Sequence, residues 1–363
     1  MEQNKLRQTI SENKLAAWYF RLSVKQPYQM ALIQITERCN LHCVHCCNFS
    51  SEKGRDISFK VFQEKLILQL KKFHIVTVTL TGGEPFLHPQ ILEIVKILRK
   101  ANLRVAICTN GTLLTESQLK ILKELGNIHI NVSLNGFSSE SHGKFCGETL
   151  SFKKILNSIR LLSKYRLLQG LIVTVNNLIK LKEYVDICKF AIQNKAVYIH
   201  FNPICEIGRA IKTKRLFETP FEELSVIKKI TLPFSHKIQI VYIRFPNEDK
   251  LPLNSCEAGN IIHIFLDGRV TICPYLYSAA QHPLSKYSPE DFILGNIFKD
   301  ENIAEKLNKY NFFEKFHFGE NSICQKCSFN SFCGKGCPAE VIISGGQLDS
   351  NVDPLCPFFN DKV

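Results

Sequence analysis

Ala31-Leu-Ile-Gln-Ile-Thr36-Glu-Arg-Cys39-Asn-Leu-His-Cys43-Val-His-Cys46 is the stretch from which the rest of the chain can be read. Its first six residues read as a short apolar strand, and three cysteines follow at CxxxCxxC spacing. A zinc site ordinarily takes four ligands in two pairs. Three thiols packed this closely suit three corners of an iron–sulfur cube instead. One iron is then left without a protein ligand and is free to chelate a small molecule. The chain holds 15 cysteines in 363 residues, and the polar segment Met1–Lys14 lacks the apolar core of a secretory signal. The thiols therefore read as metal ligands in a reducing, cytoplasmic setting rather than as a secreted disulfide framework.

Outward from this stretch the chain alternates strand and helix. Strands are expected at Ala31–Thr36, Ile75–Leu80, Leu103–Cys108, Ile128–Leu134, Leu171–Val175 and Ala196–Phe201, each apolar as if covered on both faces. Helical patterns lie between them at Ser58–Phe73, Ile91–Lys100, Glu116–Leu125, Phe152–Tyr165 and Leu181–Gln193. Six such units predict an α/β fold, a partial (β/α)6 TIM-like barrel with two of the usual eight units missing. Polar or glycine-bearing motifs follow the strands: Thr81-Gly82-Gly83-Glu84-Pro85, Thr109-Asn110-Gly111, Ser133-Leu134-Asn135-Gly136, Asn176 and Asn202-Pro203. All fall on the carboxyl-terminal rim, where barrels carry their active sites. The bare Gly-Gly of the first motif would allow close backbone approach to a ligand.

The expected organisation is a helical extension at 1–30, the barrel at 31–210, a bridge at 211–255 and a cysteine-rich domain at 256–363. A hairpin with an Asp267-Gly268 turn opens that last domain. No apolar run approaches the roughly 20 residues needed to cross a bilayer, so neither a membrane span nor a membrane partner is expected. The 46 basic and 33 acidic residues give a net charge of +13, which favours an acidic partner.

The CxxxCxxC spacing, with the aromatic His45 before the last cysteine, resembles the signature of radical S-adenosylmethionine (radical SAM) enzymes. The resemblance implies that Cys39, Cys43 and Cys46 hold a 4Fe–4S cluster whose open iron binds the amino and carboxylate groups of S-adenosylmethionine. In that family a cluster electron cleaves the sulfonium, and the 5′-deoxyadenosyl radical so formed takes a hydrogen from substrate. Gly82-Gly83-Glu84-Pro85 is similar to the family's GGEP motif, so Gly83 and Glu84 inherit reception of the methionyl amino group. His45, Gly82, Asn110, Ser133, Asn135 and Asn176 join them as expected cofactor contacts. Asn135 stands where the family often has an aspartate near the ribose; it can hydrogen-bond a hydroxyl but carries no charge. Ser141–Gly147 resembles a family stretch, His-Asp-x-x-Arg-Gly, whose acid and arginine are replaced here by Gly143 and Cys146, so no cofactor contact is assigned to it.

Cys256, Cys273, Cys324-x2-Cys327-x5-Cys333-x3-Cys337 and Cys356 resemble the SPASM domain that follows the barrel in many radical SAM enzymes. The resemblance implies two auxiliary 4Fe–4S clusters, three clusters in all. Cys256, Cys273 and Cys337 would hold the first, and Cys324, Cys327, Cys333 and Cys356 the second. The first is one ligand short, since 246–255 contain no cysteine; its fourth iron is open, or is completed by a distant residue or by substrate. A zinc ribbon is the competing use of Cys324-x2-Cys327. Of the other cysteines, Cys108 and Cys188 read as core. Cys47, Cys146 and Cys205 are placed to pack or to donate a hydrogen atom or proton near the radical.

The tail Gly345–Cys356 resembles the pyrroloquinoline quinone and mycofactocin maturases. It implies a ribosomally made peptide substrate that is crosslinked, thioether-bridged, epimerised or oxidised, with a flavodoxin or ferredoxin as external electron donor. About 30 residues precede the barrel, too few for a fused leader-binding domain, so a separate small protein or the barrel itself would bind the peptide. The alternative is tetrapyrrole side-chain processing, which Cys256-Glu-Ala-Gly259 and Cys273-Pro-Tyr275 resemble. Sulfatase maturation stands third, because the additional upstream ligand is absent. A zinc-bearing nucleic-acid-binding module is the reading from another class, and nucleic acid is not the expected partner.

Overall fold

The computed structural model describes residues 29–254, 256, 258 and 261–358. The expected helical extension at 1–30 lies almost wholly outside the described residues. Among the described residues, ten strands form a single sheet in the order β10-β9-β8-β1-β2-β3-β4-β5-β6-β7. In chain order they are β1 (Gln29–Thr36), β2 (Ile75–Gly82), β3 (Arg104–Thr109), β4 (Ile128–Ser133), β5 (Leu168–Val175), β6 (Tyr198–Pro203), β7 (Gln239–Tyr242), β8 (Ile261–Ile264), β9 (Arg269–Thr271) and β10 (Ile293–Asn296). From β1 to β7 every neighbouring pair is parallel.

Helices cross between the strands at Ile91–Lys100, Glu116–Leu125, Ser151–Lys164 and Leu181–Gln193, within a residue of the predicted bounds. The first crossover runs Phe59–Val61, passes through a π turn at Phe62–Leu66, and continues as Ile67–Lys72. Phe62, Leu66 and Leu70 lie on its buried stripe. The same core takes Ile33 and Ile35 of β1, Val78 and Leu80 of β2, Val105 and Ile107 of β3, and Ile130 and Val132 of β4.

The opposite strand face differs from expectation. It carries Gln34, Thr79, His129, Asn131, Ser133, Thr174, His200 and Asn202 beside Leu32, Ala106 and Ile172, so this face is far more polar than the one toward the helices. A closed barrel fills its interior with aliphatic layers; a partial barrel leaves its concave side open to a polar guest.

Two features of the 211–255 bridge are more ordered than the sequence suggested. Ala210–Phe217 and Phe221–Thr231 are helices, and β7 adds a seventh parallel strand beside β6. β7 has only four residues, too few to establish a period of two. The predicted hairpin is present as β8 and β9 around Asp267-Gly268. It also lies against the barrel: Met30, Ala31, Leu32 and Ile33 of β1 pair in parallel with Ile261, Ile262, His263 and Ile264. The expected boundary at 256 therefore does not interrupt the sheet. No helix among the described residues is long and apolar enough to cross a membrane.

Candidate active site

The cysteine loop leaves β1 at Thr36 and is fastened from four directions. At its base the Thr36 hydroxyl donates to Asp56 Oδ1 at 2.6 Å, and Arg38 forms an ion pair with Asp56 at 2.6 Å. On the β2 side, Gly83 N donates to Thr36 O (2.9 Å) and Glu84 N to Arg38 O (2.8 Å). A Cβ on Gly82 or Gly83 would overlap those carbonyls. The close approach that the Gly-Gly pair permits is thus to the cysteine loop itself.

The third fastening is the helix Ser139–Cys146, which the sequence reading did not anticipate. Its last carbonyls, Phe145 O and Cys146 O, each accept from the loop at 3.1 Å, from Val44 N and His42 N. Ser138 caps its start by accepting from Ser141 N, and Gly147 closes it in a left-handed conformation. Those two caps were the signal available in the sequence. The fourth fastening is Arg209. Its backbone N donates to Cys46 O (3.0 Å), Nη1 to Cys43 O (2.8 Å), and Nη2 to Ser50 O. Thr213 Oγ1 donates to Val44 O at 2.7 Å. Gly208, at φ +58°, lies where a side chain would overlap Cys46 O. No local pattern marks Arg209, because its partners stand more than 150 residues away along the chain.

Around this loop the rim residues engage one another. Glu84 is fully buried, and its carboxylate accepts from Phe86 N (3.0 Å), Thr109 Oγ1 (2.7 Å) and Asn110 N (2.7 Å). Burial pushes its pKa up to about 7 against those three donors. Asn110 Nδ2 donates to Asn40 Oδ1 at 3.0 Å and reaches Cys39 Sγ at 3.9 Å. Asn135 is buried; its Oδ1 accepts from Thr174 N (2.8 Å) and its Nδ2 donates to Cys146 Sγ (3.6 Å). Asn176, also buried, donates to Thr174 O (2.9 Å) and accepts from Leu178 N (3.1 Å). Ser133 ends β4 and is half-buried. His45 stacks on Phe145 with ring centroids 4.4 Å apart. Burial, with Arg209 and His142 nearby, lowers its pKa to about 4.

The thiols share a local geometry. Cys39 Sγ accepts from Leu41 N (3.4 Å), Cys256 Sγ from Ala258 N (3.4 Å), Cys327 Sγ from Phe329 N (3.3 Å) and Cys333 Sγ from Lys335 N (3.4 Å). Phe358 N donates likewise to Cys356. In each case the amide two residues on points at the sulfur, as suits a thiolate bound to metal. Cys39, with its thiol pushed up to about 12 by burial, feels the charges of Cys43 and Cys46. Cys356, pushed up to about 11 by burial, feels those of Cys324, Cys333 and Cys327. Cys43 and Cys46 thus lie near Cys39, and Cys324, Cys327 and Cys333 near Cys356. Cys273 and Cys337 are buried in a second apolar cluster, against which Ala258 packs. Each precedes a short helix that opens with proline, Pro274–Ala279 and Pro338–Ile343. Among the described residues, no three His, Cys, Asp or Glu side chains are grouped as for a single metal ion.

Residues 33–191, from β1 to the end of the fifth crossover helix, match the model of the Radical SAM superfamily. That stretch of the chain is a Radical SAM domain. A radical SAM chain is an iron–sulfur enzyme, and the family implies a 4Fe–4S cluster and S-adenosylmethionine. The chain is 29% identical over 335 residues to "Antilisterial bacteriocin subtilosin biosynthesis protein AlbA" of Bacillus subtilis (strain 168), covering 89% of this chain and 70% of that one. It is 29% identical over 192 residues to the "AdoMet-dependent heme synthase" of Methanosarcina barkeri (strain Fusaro / DSM 804), covering 53% and 55%. Streptococcus suis SuiB, solved bound to its precursor peptide SuiA, shares the fold with a TM-score of 0.70 at 15% identity, covering 90% of this chain and 75% of that one. The α/β barrel with its cysteine-rich carboxyl-terminal part is therefore a radical SAM fold.

Proposed function

We propose that this radical SAM enzyme modifies a ribosomally made peptide, with Cys39, Cys43 and Cys46 holding the SAM-binding cluster and the seven carboxyl-terminal cysteines holding two auxiliary clusters. The observation that carries the cluster assignments is the amide two residues on aimed at the sulfur of Cys39, Cys256, Cys327, Cys333 and Cys356. When bound, the cluster and S-adenosylmethionine supply reductive cleavage to a 5′-deoxyadenosyl radical that abstracts a hydrogen.

The chain's own residues supply position and exclusion of water. The loop carbonyls of Cys43, Val44, Cys46 and Ser50 are each taken by Arg209 or Thr213, so the three thiols are held before anything binds. Glu84 fixes the ends of β2 and β3 to each other, which leaves Asn110 beside Cys39. Gly82 and Gly83 set the distance between β2 and the loop. In this reading Glu84, Asn135 and Asn176 build the rim that cofactor rests on, while His45, Asn110 and Ser133 remain contacts for the cofactor itself. The polar concave face, with His129, Asn131, His200 and Asn202, suits a substrate that brings peptide amides and carbonyls.

Over nearly the whole chain, identity to the subtilosin biosynthesis protein is 29% across 89% of it, against 22% across 90% for an AdoMet-dependent heme synthase of Oleidesulfovibrio alaskensis. That difference favours a peptide over a tetrapyrrole. A basic surface suits an acidic leader, with leader binding by the barrel or by a separate protein, and a flavodoxin or ferredoxin as electron donor. Anaerobic incubation with short peptides encoded beside the gene, followed by mass spectrometry, tests this. A mass change in the peptide together with 5′-deoxyadenosine is expected. Conversion of iron coproporphyrin with no change in any peptide would transfer the assignment to tetrapyrrole chemistry.

A further inference from the structure

The first auxiliary set, Cys256, Cys273 and Cys337, is one thiol short of the four that fill a cube. The missing thiol does not come from the preceding segment, since 246–255 contain no cysteine. In the fold one thiol of the barrel lies close to this set. Cys205 stands just beyond the end of β6, half-buried, and packs against the same apolar cluster that buries Cys273 and Cys337. Its Sγ donates to Glu340 Oε1 at 3.5 Å. Glu340 lies one turn after Cys337, on the short helix that Cys337 caps. Arg244, just after β7, pairs with the same Glu340 oxygen, and its guanidinium lies 5.4 Å from the centre of the Tyr275 ring, two residues past Cys273. Cys205 feels the charge of Cys337 and hydrogen-bonds with Arg244. Cys205 therefore lies against the apolar cluster that holds Cys273 and Cys337, within reach of the helix that Cys337 caps.

We propose that Cys205 completes a four-thiolate site with Cys256, Cys273 and Cys337, so that one ligand of the first auxiliary cluster is supplied by the barrel. This rests on the reading of those three cysteines as an auxiliary-cluster set. On ligation the Cys205 S–H bond breaks and an S–Fe bond forms, with no change of oxidation state. The proton leaves through Glu340, which already accepts it as a hydrogen bond. Arg244 stays beside the new thiolate as a compensating cation. The first auxiliary cluster is then closed to direct ligation by substrate, and it ties the cysteine-rich part to the end of β6.

The test uses the full chain with Cys39, Cys43 and Cys46 replaced by alanine, so that only auxiliary clusters load. This chain, reconstituted anaerobically with iron and sulfide, is compared with versions that add Cys205→Ala, Cys205→Ser or Cys273→Ala. About eight irons per chain are expected in the background, stable to mild oxidation. Cys205→Ala is expected either to lose about four irons or to keep the cube and shed one iron on mild oxidation, giving a new 3Fe–4S signal by electron paramagnetic resonance. Cys205→Ser, with an oxygen ligand in place of sulfur, is expected to keep the iron with a shifted Mössbauer spectrum and unchanged circular dichroism. Iron count and oxidation response identical to the background in both Cys205 variants would overturn the assignment of Cys205 alone. A Cys273→Ala chain with undiminished iron would overturn the auxiliary-cluster reading, and this inference with it.

Discussion

Arg209 holds the cysteine loop in a way no other residue can reproduce. Its planar guanidinium reaches Cys43 O and Ser50 O together, while its backbone N takes Cys46 O. Replacing it with alanine leaves Ser50 O without a donor and Cys43 O with only the amide of Cys46, the orphaned carbonyl costing about 1–3 kcal/mol. Lysine restores a charge but not the fork, so it can serve one carbonyl at a time. Arg209→Ala is expected to lower both the unfolding midpoint and iron retention on the barrel cluster, with Arg209→Lys intermediate. Chemical denaturation together with iron analysis after gel filtration measures both, and an Arg209→Ala chain that holds iron like the parent would remove the loop-holding role. Gly83→Ala presses on the same loop from the other side, because its Cβ would overlap Arg38 O. It is expected to cost iron in the barrel cluster while leaving the carboxyl-terminal clusters loaded, which iron counts and Mössbauer spectra of the two populations distinguish.

At the scale of elements, the helix Ser139–Cys146 joins β4 to the cysteine loop, and its His142 makes that join sensitive to acid. His142 is buried, its Nδ1 accepts from Asn135 N at 3.1 Å, and burial lowers its pKa to about 4. The ring is therefore neutral in the folded chain down to about pH 4, whereas the unfolded chain protonates near pH 6.5. The stability linked to this ring is fully present above about 6.5 and is lost as pH falls toward 4, by up to roughly 3 kcal/mol. His142→Gln retains an acceptor but binds no proton. The stability of the parent relative to this variant should decline across that window, as urea unfolding at matched iron loading would report; a constant difference would mean that His142 is charged when folded. The elements themselves were largely legible in the sequence. The crossover helices from Ile91 to Gln193 and strands β1–β6 announce themselves through long apolar periodicities. Ser139–Cys146, with Ser141, His142 and Gly143 buried in its middle, has no apolar stripe to announce it. Likewise, the candidate cluster ligands were legible through their spacing. Arg209 and Cys205 take their meaning from partners far along the chain, and only the fold brings those together.

Across the whole molecule, the barrel and the first part of the cysteine-rich region share one sheet and one core, while the rest of that region packs in a second apolar cluster. β8 pairs with β1, and Ile262, Ile264, Val270, Ile297, Ile303 and Leu307 belong to the same apolar cluster as the strands of the barrel. β1 carries the cysteine loop at its end, so the support of the loop extends through β8 into the carboxyl-terminal part. A chain built as two separable domains would unfold in two steps. This arrangement predicts a single step for β1, β2 and β8, with the amides of Ile33, Leu80 and Ile264 exchanging hydrogen at one common rate when exchange proceeds by global opening. Ile264→Ala sharpens the test, because the residue is fully buried beside Ile33. Truncating such a side chain costs about 2–5 kcal/mol. If the core is shared, that loss appears undiminished at the β2 amides, which lie on the far side of β1 and never touch the substituted residue. A loss confined to β8 and β9, with β2 protected as before, would mean that the carboxyl-terminal part folds as a unit apart and that the loop of Cys39, Cys43 and Cys46 stands without it.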